Sequence, residues 1–222
     1  MTDITLQSSD GHEFGAYRAD PQGAIKGGIV VIQEIFGVNS HIRSICDRLA
    51  AQGYVAIAPA IFDRTKRNFQ SGYSAQEIEL ARGFLGNIDW EAYLRDSDAA
   101  RANIADVGNV GIVGFCLGGS VAFLAATRLA GFSAACGFYG GQVATFANEE
   151  PKCPVQLHFG SDDQSIPMSN VDKVRALRPE CDLYVYEGAG HGFNCDERAS
   201  FDEQAAKLAW ERTLDFFDQN IV

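Results

Sequence analysis

The chain is short of positive charge. Its 222 residues carry 18 lysines and arginines against 29 aspartates and glutamates, a formal net charge of −11. Non-specific nucleic-acid binding draws its affinity from phosphate neutralisation, so this deficit argues against a nucleic-acid partner. It leaves room for an anionic small molecule, because a few local arginines override net charge. No apolar run has the length a membrane-spanning helix needs. The opening residues, MTDITLQSSDGHEF, are polar and acidic, unlike a signal peptide, so a cytoplasmic protein with no membrane contact is expected. Six cysteines are present (Cys46, Cys116, Cys136, Cys153, Cys181 and Cys195), without a Cys-x-x-Cys pair. The closest spacing, Cys181 to Cys195, has no matching histidine cluster, so no structural zinc is expected. In a chain this long and apolar, free thiols in a reducing compartment are the better reading than disulfides. Also missing are a Gly-x-Gly-x-x-Gly turn, a phosphate loop, internal repeats and low-complexity segments.

What is there reads as a globular protein. Hydrophobic residues make up 46% and charged residues 21%, and the length suits one domain spanning 1–222. ITLQSS and EFGAYRA flank Asp10-Gly11 and predict a hairpin with a tight turn. GGIVVI and YVAIAP read as buried parallel strands. Between them lies a helix capped by Asn39 or Ser40 and ended by Gly53. Residues 63–90 are broken by charges and glycines and predict an excursion with a short helix around 75–84. Beyond it, helix and strand patterns alternate to the end. The last helix is predicted to bury a stripe of Ala206, Trp210, Leu214 and Phe217. Such alternation indicates an α/β fold, a mostly parallel sheet with helices on both faces and right-handed crossovers.

The most informative stretch is VGIVGFCLGGSVAF. Cys116 sits in Gly114-Phe115-Cys116-Leu117-Gly118, with strand residues before it and an apolar helix after it. This is the nucleophile-elbow pattern with cysteine in place of serine. A strand that turns sharply into a helix strains its corner residue, and glycines two before and two after remove the side chains that would crowd it. The corner puts the sulfur at a helix N-terminus, whose dipole favours thiolate. The Leu117 N–H, free of intrahelical bonding, points toward a developing oxyanion, with Ile35 N–H as the second donor. A buried cysteine is more commonly a small hydrophobe, so the elbow alone weighs evenly between catalysis and packing.

The partners tip the balance. In a hydrolase of this topology an acid and then a histidine follow the nucleophile. Asp162 and Asp163 lie in the loop GSDDQSIP after one late strand. His191 lies in GAGHGF after the next. All fall at C-terminal strand ends, where open α/β sheets bind ligands. The other histidines read differently. His12 belongs to the hairpin turn and is expected to be solvated. His41 lies near a helix start, and His158 reads as a satisfied core residue.

These motifs closely resemble the dienelactone hydrolases (carboxymethylenebutenolidases) of the α/β-hydrolase superfamily, over nearly the whole chain from GGIVVIQEIFGVN to WERTLDFF. The resemblance implies an α/β-hydrolase fold and no cofactor or metal. It selects Asp163 over Asp162, four residues before the proline, as the acid beside Cys116 and His191. It also implies that Glu34, in the QEIFGVN segment, contacts the resting cysteine and that substrate entry moves it to help generate the thiolate. One departure bears on substrate. The two arginine positions that hold a substrate carboxylate in this family are Ile78 and Cys195 here, and Arg82 and Arg198 are the candidates to serve instead. Phe36, Tyr73 and Phe193 are candidate pocket walls, each with a competing reading as core.

The expected activity is hydrolysis of a small-molecule lactone or carboxylic ester through a cysteinyl acyl-enzyme. The alternative is an esterase or thioesterase of the same fold acting on another acyl group. A non-enzymatic binding protein of this fold and a thiol redox protein are the readings from other classes. A monomer is the default.

Overall fold

The computed structural model describes residues 2–221. Its centre is an eight-stranded sheet. In chain order the strands are β1 (Thr2–Gln7), β2 (Glu13–Ala19), β3 (Gly27–Ile32), β4 (Tyr54–Pro59), β5 (Val110–Phe115), β6 (Ala134–Phe138), β7 (Val155–Gly160) and β8 (Asp182–Tyr186). Their spatial order is β1-β2-β4-β3-β5-β6-β7-β8. β1 and β2 pair antiparallel, and β2 joins β4 antiparallel. From β4 to β8 every pairing is parallel. Strands β3 to β7 are buried along their whole length, as expected of Val/Ile-rich strands covered on both faces. The chain runs from β3 outward to β4, then crosses back to β5 on the other side of β3. That reversal is the switch point at which open parallel sheets form clefts.

The helices are α1 (Ser40–Ala51), α2 (Ala75–Arg82), α3 (Trp90–Asn103), α4 (Leu117–Arg128), α5 (Val143–Phe146), α6 (Met168–Leu177) and α7 (Glu203–Asn220). Asn39 caps α1, accepting the Ile42 N–H at 3.3 Å, and Gly53 follows it at φ 97°. α4 is buried at every position from Leu117 to Thr127, so it is the central helix its composition predicts. α2 starts with a capping box between Ser74 and Glu77. The excursion around it is tied back to the β3–α1 loop, where the Ser71 N–H donates to Phe36 O at 3.0 Å and Asn39 Nδ2 donates to Ser71 O at 3.1 Å.

Two local expectations change. The hairpin loop spans 8–12 rather than a two-residue turn, because Ser8 bonds Asp10 (2.7 Å) and the Ser8 N–H reaches His12 O (3.0 Å). His12 is accordingly half-buried, stacked on Phe14, and not solvated. The buried face of α7 is Ala205, Ala206, Ala209, Thr213, Phe216 and Phe217, with Trp210 and Leu214 at its edge. Small residues let the helix lie close to the sheet, where the Thr213 hydroxyl meets His158 Nε2 at 3.2 Å. His158 is the satisfied core histidine expected, bonded also to Tyr186 and Gln156, and burial pushes it down to about 3. No helix is long and apolar enough to cross a membrane among the described residues.

Candidate active site

The corner after β5 is as tight as its glycines imply. Cys116 holds φ 55° and ψ −114°, a region that L residues rarely occupy. A Cβ on Gly114 would collide with the Gly118 carbonyl oxygen, and one on Gly118 with the Ile32 carbonyl and, at 2.6 Å, with Gln33 O. A Cβ on Gly119 would lie 2.5 Å from Phe138 O. The glycines therefore let α4 seat directly on the ends of β3 and β6. The Cys116 N–H donates to Phe138 O at 3.0 Å, which pins the corner to β6. As the first residue of α4, Leu117 has an N–H with no intrahelical acceptor. Ile35 N–H likewise donates to no backbone carbonyl among the described residues. Both residues line the cleft beside Cys116.

The loops after β7 and β8 bring in the acid and the histidine. His191 Nε2 lies 3.2 Å from Cys116 Sγ, and its Nδ1 lies 2.7 Å from Asp163 Oδ2. Asp163 is 4% exposed. Its other oxygen accepts the Ser165 and Ile166 N–H groups at 2.8 and 3.2 Å, which fixes the carboxylate. Asp162 is exposed, and among the described residues its carboxylate accepts only the Ser161 hydroxyl. The His191 carbonyl accepts the Ser200 hydroxyl at 2.7 Å. Burial disfavours the imidazolium, but the Cys116 sulfur and the Asp163 carboxylate outweigh it and push His191 up to about 10. The other cysteines are free and sit elsewhere. Cys136 faces Thr213, and Cys46 is enclosed between α1 and the sheet.

Glu34 makes no hydrogen bond to the sulfur among the described residues. It is 1% exposed, accepts Arg198 Nη1 at 3.0 Å and the Tyr73 hydroxyl at 3.3 Å, and has no bond to Cys116. A buried carboxylate needs a charged partner, and Arg198 supplies it. The resting cysteine is held by His191 instead.

The cleft over Cys116 has a volume of about 470 Å³. Ile78, Leu85 and Ile88 from the excursion and Phe36 from the β3–α1 loop make an apolar wall. Ser120, Gln142 and Ser165 face it with polar groups. Arg82 and Arg198 both line the cleft. Arg82 is exposed and makes no ion pair among the described residues, whereas Arg198 is committed to Glu34. Cys195 is fully buried and outside this cleft.

Two of the three candidate walls need correction. Phe193 is fully buried against Tyr186 (5.0 Å) and Tyr139 (5.4 Å), because Gly192 at φ 79° turns the chain inward. Tyr73 stands behind the wall. Its ring meets Phe36 edge-on at 4.6 Å, and its hydroxyl accepts Asn39 Nδ2 at 3.0 Å and donates to Glu34. Sequence reasoning missed Ser120 and Ser165, which lie inside the elbow and acid-loop motifs but were given no role there, and Gln142, which belongs to no motif. It also missed Tyr139, just past β6. Tyr139 holds φ 38°, is fully buried with an unpartnered hydroxyl, and lies 5.1 Å from the His191 ring. The only signal for it was its place at a C-terminal strand end.

A statistical description of the "Dienelactone hydrolase family" matches residues 14–221. This chain belongs to the dienelactone hydrolase family. A carboxymethylenebutenolidase of Pseudomonas putida is 35% identical over 224 residues, covering 96% of this chain and 94% of that one. A crystal structure of a provisionally named dienelactone hydrolase from Klebsiella pneumoniae superposes with a TM-score of 0.85 at 32% identity, over 99% of this chain and 100% of that one. A dienelactone hydrolase-like promiscuous phosphotriesterase from metagenomic libraries shares the fold at a TM-score of 0.80 and 23% identity, over 100% of this chain and 99% of that one. The fold is that of an α/β hydrolase, and membership of the family makes the chain a carboxymethylenebutenolidase-like hydrolase acting on lactone or ester bonds.

Proposed function

We propose that the chain hydrolyses a lactone or carboxylic ester through a covalent cysteinyl acyl-enzyme, with Cys116 as nucleophile, His191 as acid–base and Asp163 as its orienting acid. The observation that carries this reading is the unbroken relay from Asp163 through His191 to a cysteine on a strained corner, at 2.7 and 3.2 Å. The Cys116 thiol proton passes to His191 Nε2 as Sγ forms a bond to the carbonyl carbon, and the carbonyl electron pair moves to an oxyanion held by the Ile35 and Leu117 N–H groups. On collapse the C–O bond breaks and His191 returns the thiol proton to the leaving oxygen, which in a lactone stays tethered to the acyl group. His191 then takes a proton from water. The resulting hydroxide displaces sulfur, and the proton passes back to the thiolate. Glu34 modulates this site through Arg198 and Tyr73 rather than by a hydrogen bond to sulfur.

The test is Cys116→Ala. It should lower kcat/KM for a dienelactone and for aryl esters by at least about 10³-fold. Intact mass after rapid quench of the unaltered protein should show one acyl adduct, on Cys116. Retained turnover by the alanine variant would defeat the assignment.

A second reading, an esterase or thioesterase of this fold with another acyl substrate, is favoured by the apolar cleft wall. Ile78 presents a hydrocarbon, Cys195 lies outside the cleft and Arg198 is taken by Glu34. That leaves Arg82 as the cation for a substrate carboxylate. The readings separate on a panel of esters with and without an acyl-side carboxylate. Arg82→Ala should raise KM only for the carboxylated members if the dienelactone-like reading holds. Uncharged esters or thioesters turned over faster than any dienelactone would favour the second.

A further inference from the structure

Behind the catalytic cleft, the loop that carries His191 continues through Cys195 and Asp196 and passes the first turn of α1. The Ser40 hydroxyl donates to Glu197 at 2.8 Å and holds the two segments together. There the His41 ring, Cys195 Sγ and an Asp196 carboxylate oxygen each offer one ligand atom, all within 4.8 Å of one another. His41 is 2% exposed and Cys195 is fully buried, while Asp196 lies at the surface. His41 Nε2 is buried and has no hydrogen-bond partner. Its Nδ1 makes only a long 3.5 Å contact to Asp196. Asp196 makes no ion pair within 4 Å with an arginine or lysine among the described residues, although Arg48 lines the same cleft. Neighbouring Asn194 is also buried with both side-chain amide atoms unpartnered. A single cation takes one ring nitrogen, and Nδ1, the one that faces Asp196, has no short hydrogen bond to satisfy it.

We propose that His41, Cys195 and Asp196 form a binding site for a borderline-soft divalent cation of the zinc type, separate from the catalytic triad. One thiolate, one imidazole and one carboxylate make the donor set such a cation prefers, whereas magnesium and calcium select oxygen alone. Ligand bonds of about 2.0 to 2.3 Å require the three atoms to close in by roughly 1 Å. The exposed Asp196 side chain is free to supply that movement. A cleft of about 340 Å³ whose wall carries Asp196, Glu203 and Glu211 together with Arg48 and Lys207 gives an approach from solvent. On binding, the Cys195 S–H bond breaks, its proton goes to water and the S–metal bond forms; no electrons are transferred. The site went unseen in the sequence because its histidine lies at the far end of the chain from its cysteine.

The experiment uses the full chain with Cys116→Ser, which removes the triad thiol as a competing ligand. Titration with Co²⁺ should show one equivalent with a thiolate-to-metal charge-transfer band, and Zn²⁺ should displace it. Adding Cys195→Ser should abolish the band, and His41→Gln should weaken binding by at least about tenfold. His41 is buried, so the exposed Asp196→Asn serves as a second variant that leaves the core untouched. It should weaken binding severalfold with unchanged circular dichroism. Absence of a stoichiometric site, a band that survives Cys195→Ser, or an affinity indifferent to Asp196→Asn would overturn the proposal.

Discussion

Cys116 occupies a backbone conformation that its side chain opposes, and the surrounding packing holds it there. Strain of this kind typically costs about 1–3 kcal/mol and persists where neighbours over-determine the position. Here the neighbours are the Phe138 carbonyl, the glycine contacts of α4 and the imidazole of His191. The imidazole also sets a pH dependence. His191 rises from an ordinary 6.5 to about 10 in the folded chain. Its proton therefore stabilises the fold fully below about pH 6.5, and that contribution fades as pH climbs through about 10. Urea midpoints of the unaltered protein and His191→Gln, compared from pH 6 upward, should differ most at the acid end and converge near the alkaline end. A gap that stays constant would mean the imidazole titrates alike in the folded and unfolded chain.

At the scale of elements, α4 shows why glycine position matters more than glycine count. Gly118 lies against β3 carbonyls, so Gly118→Ala must push α4 off the sheet. A cost of about 2–4 kcal/mol and a large loss of kcat are expected, since the Leu117 N–H moves with the helix. Gly83, at the end of α2, has helical dihedrals and nothing within 4 Å of an added Cβ. Gly83→Ala should instead leave stability equal or raise it by up to about 1 kcal/mol. Paired urea denaturation curves separate the two. The same contrast explains what was legible beforehand. The elbow shows in the sequence because sterics at one corner dictate residues at fixed spacing. The order of nucleophile, acid and histidine shows because each follows its own strand. Glu34 was misread because its partner Arg198 is 164 residues away, and no spacing rule reaches that far. Phe193 stayed open between cleft wall and core because one backbone angle at Gly192 decides which of the two the next ring faces, and it faces the core. The α7 stripe was right at Ala206 and Phe217 but not at Trp210 and Leu214, because Ala209 and Thr213 take the buried positions beside them.

For the whole molecule, the decisive feature is that the reactive groups come from distant stretches of chain. Cys116 and His191 are 75 residues apart in sequence and meet only across the ends of β5 and β8. Chains of this size commonly fold through populated intermediates, and long-range parallel pairings form late. Of the two tryptophans, Trp90 begins α3 and Trp210 lies in α7. With Trp210→Phe, the remaining fluorescence follows Trp90, whose ring packs edge-on against Phe146 of α5 and so reports the chain up to that helix. During refolding from urea that signal should settle before ester hydrolysis returns, with the lag set by docking of β8. Simultaneous recovery would place both halves in one cooperative step. The spacing also has a consequence for synthesis. A nascent chain exposes its elbow thiol to the cell well before its proposed base has been made, so for that interval it is a cysteine open to alkylation and oxidation with no turnover to show for it.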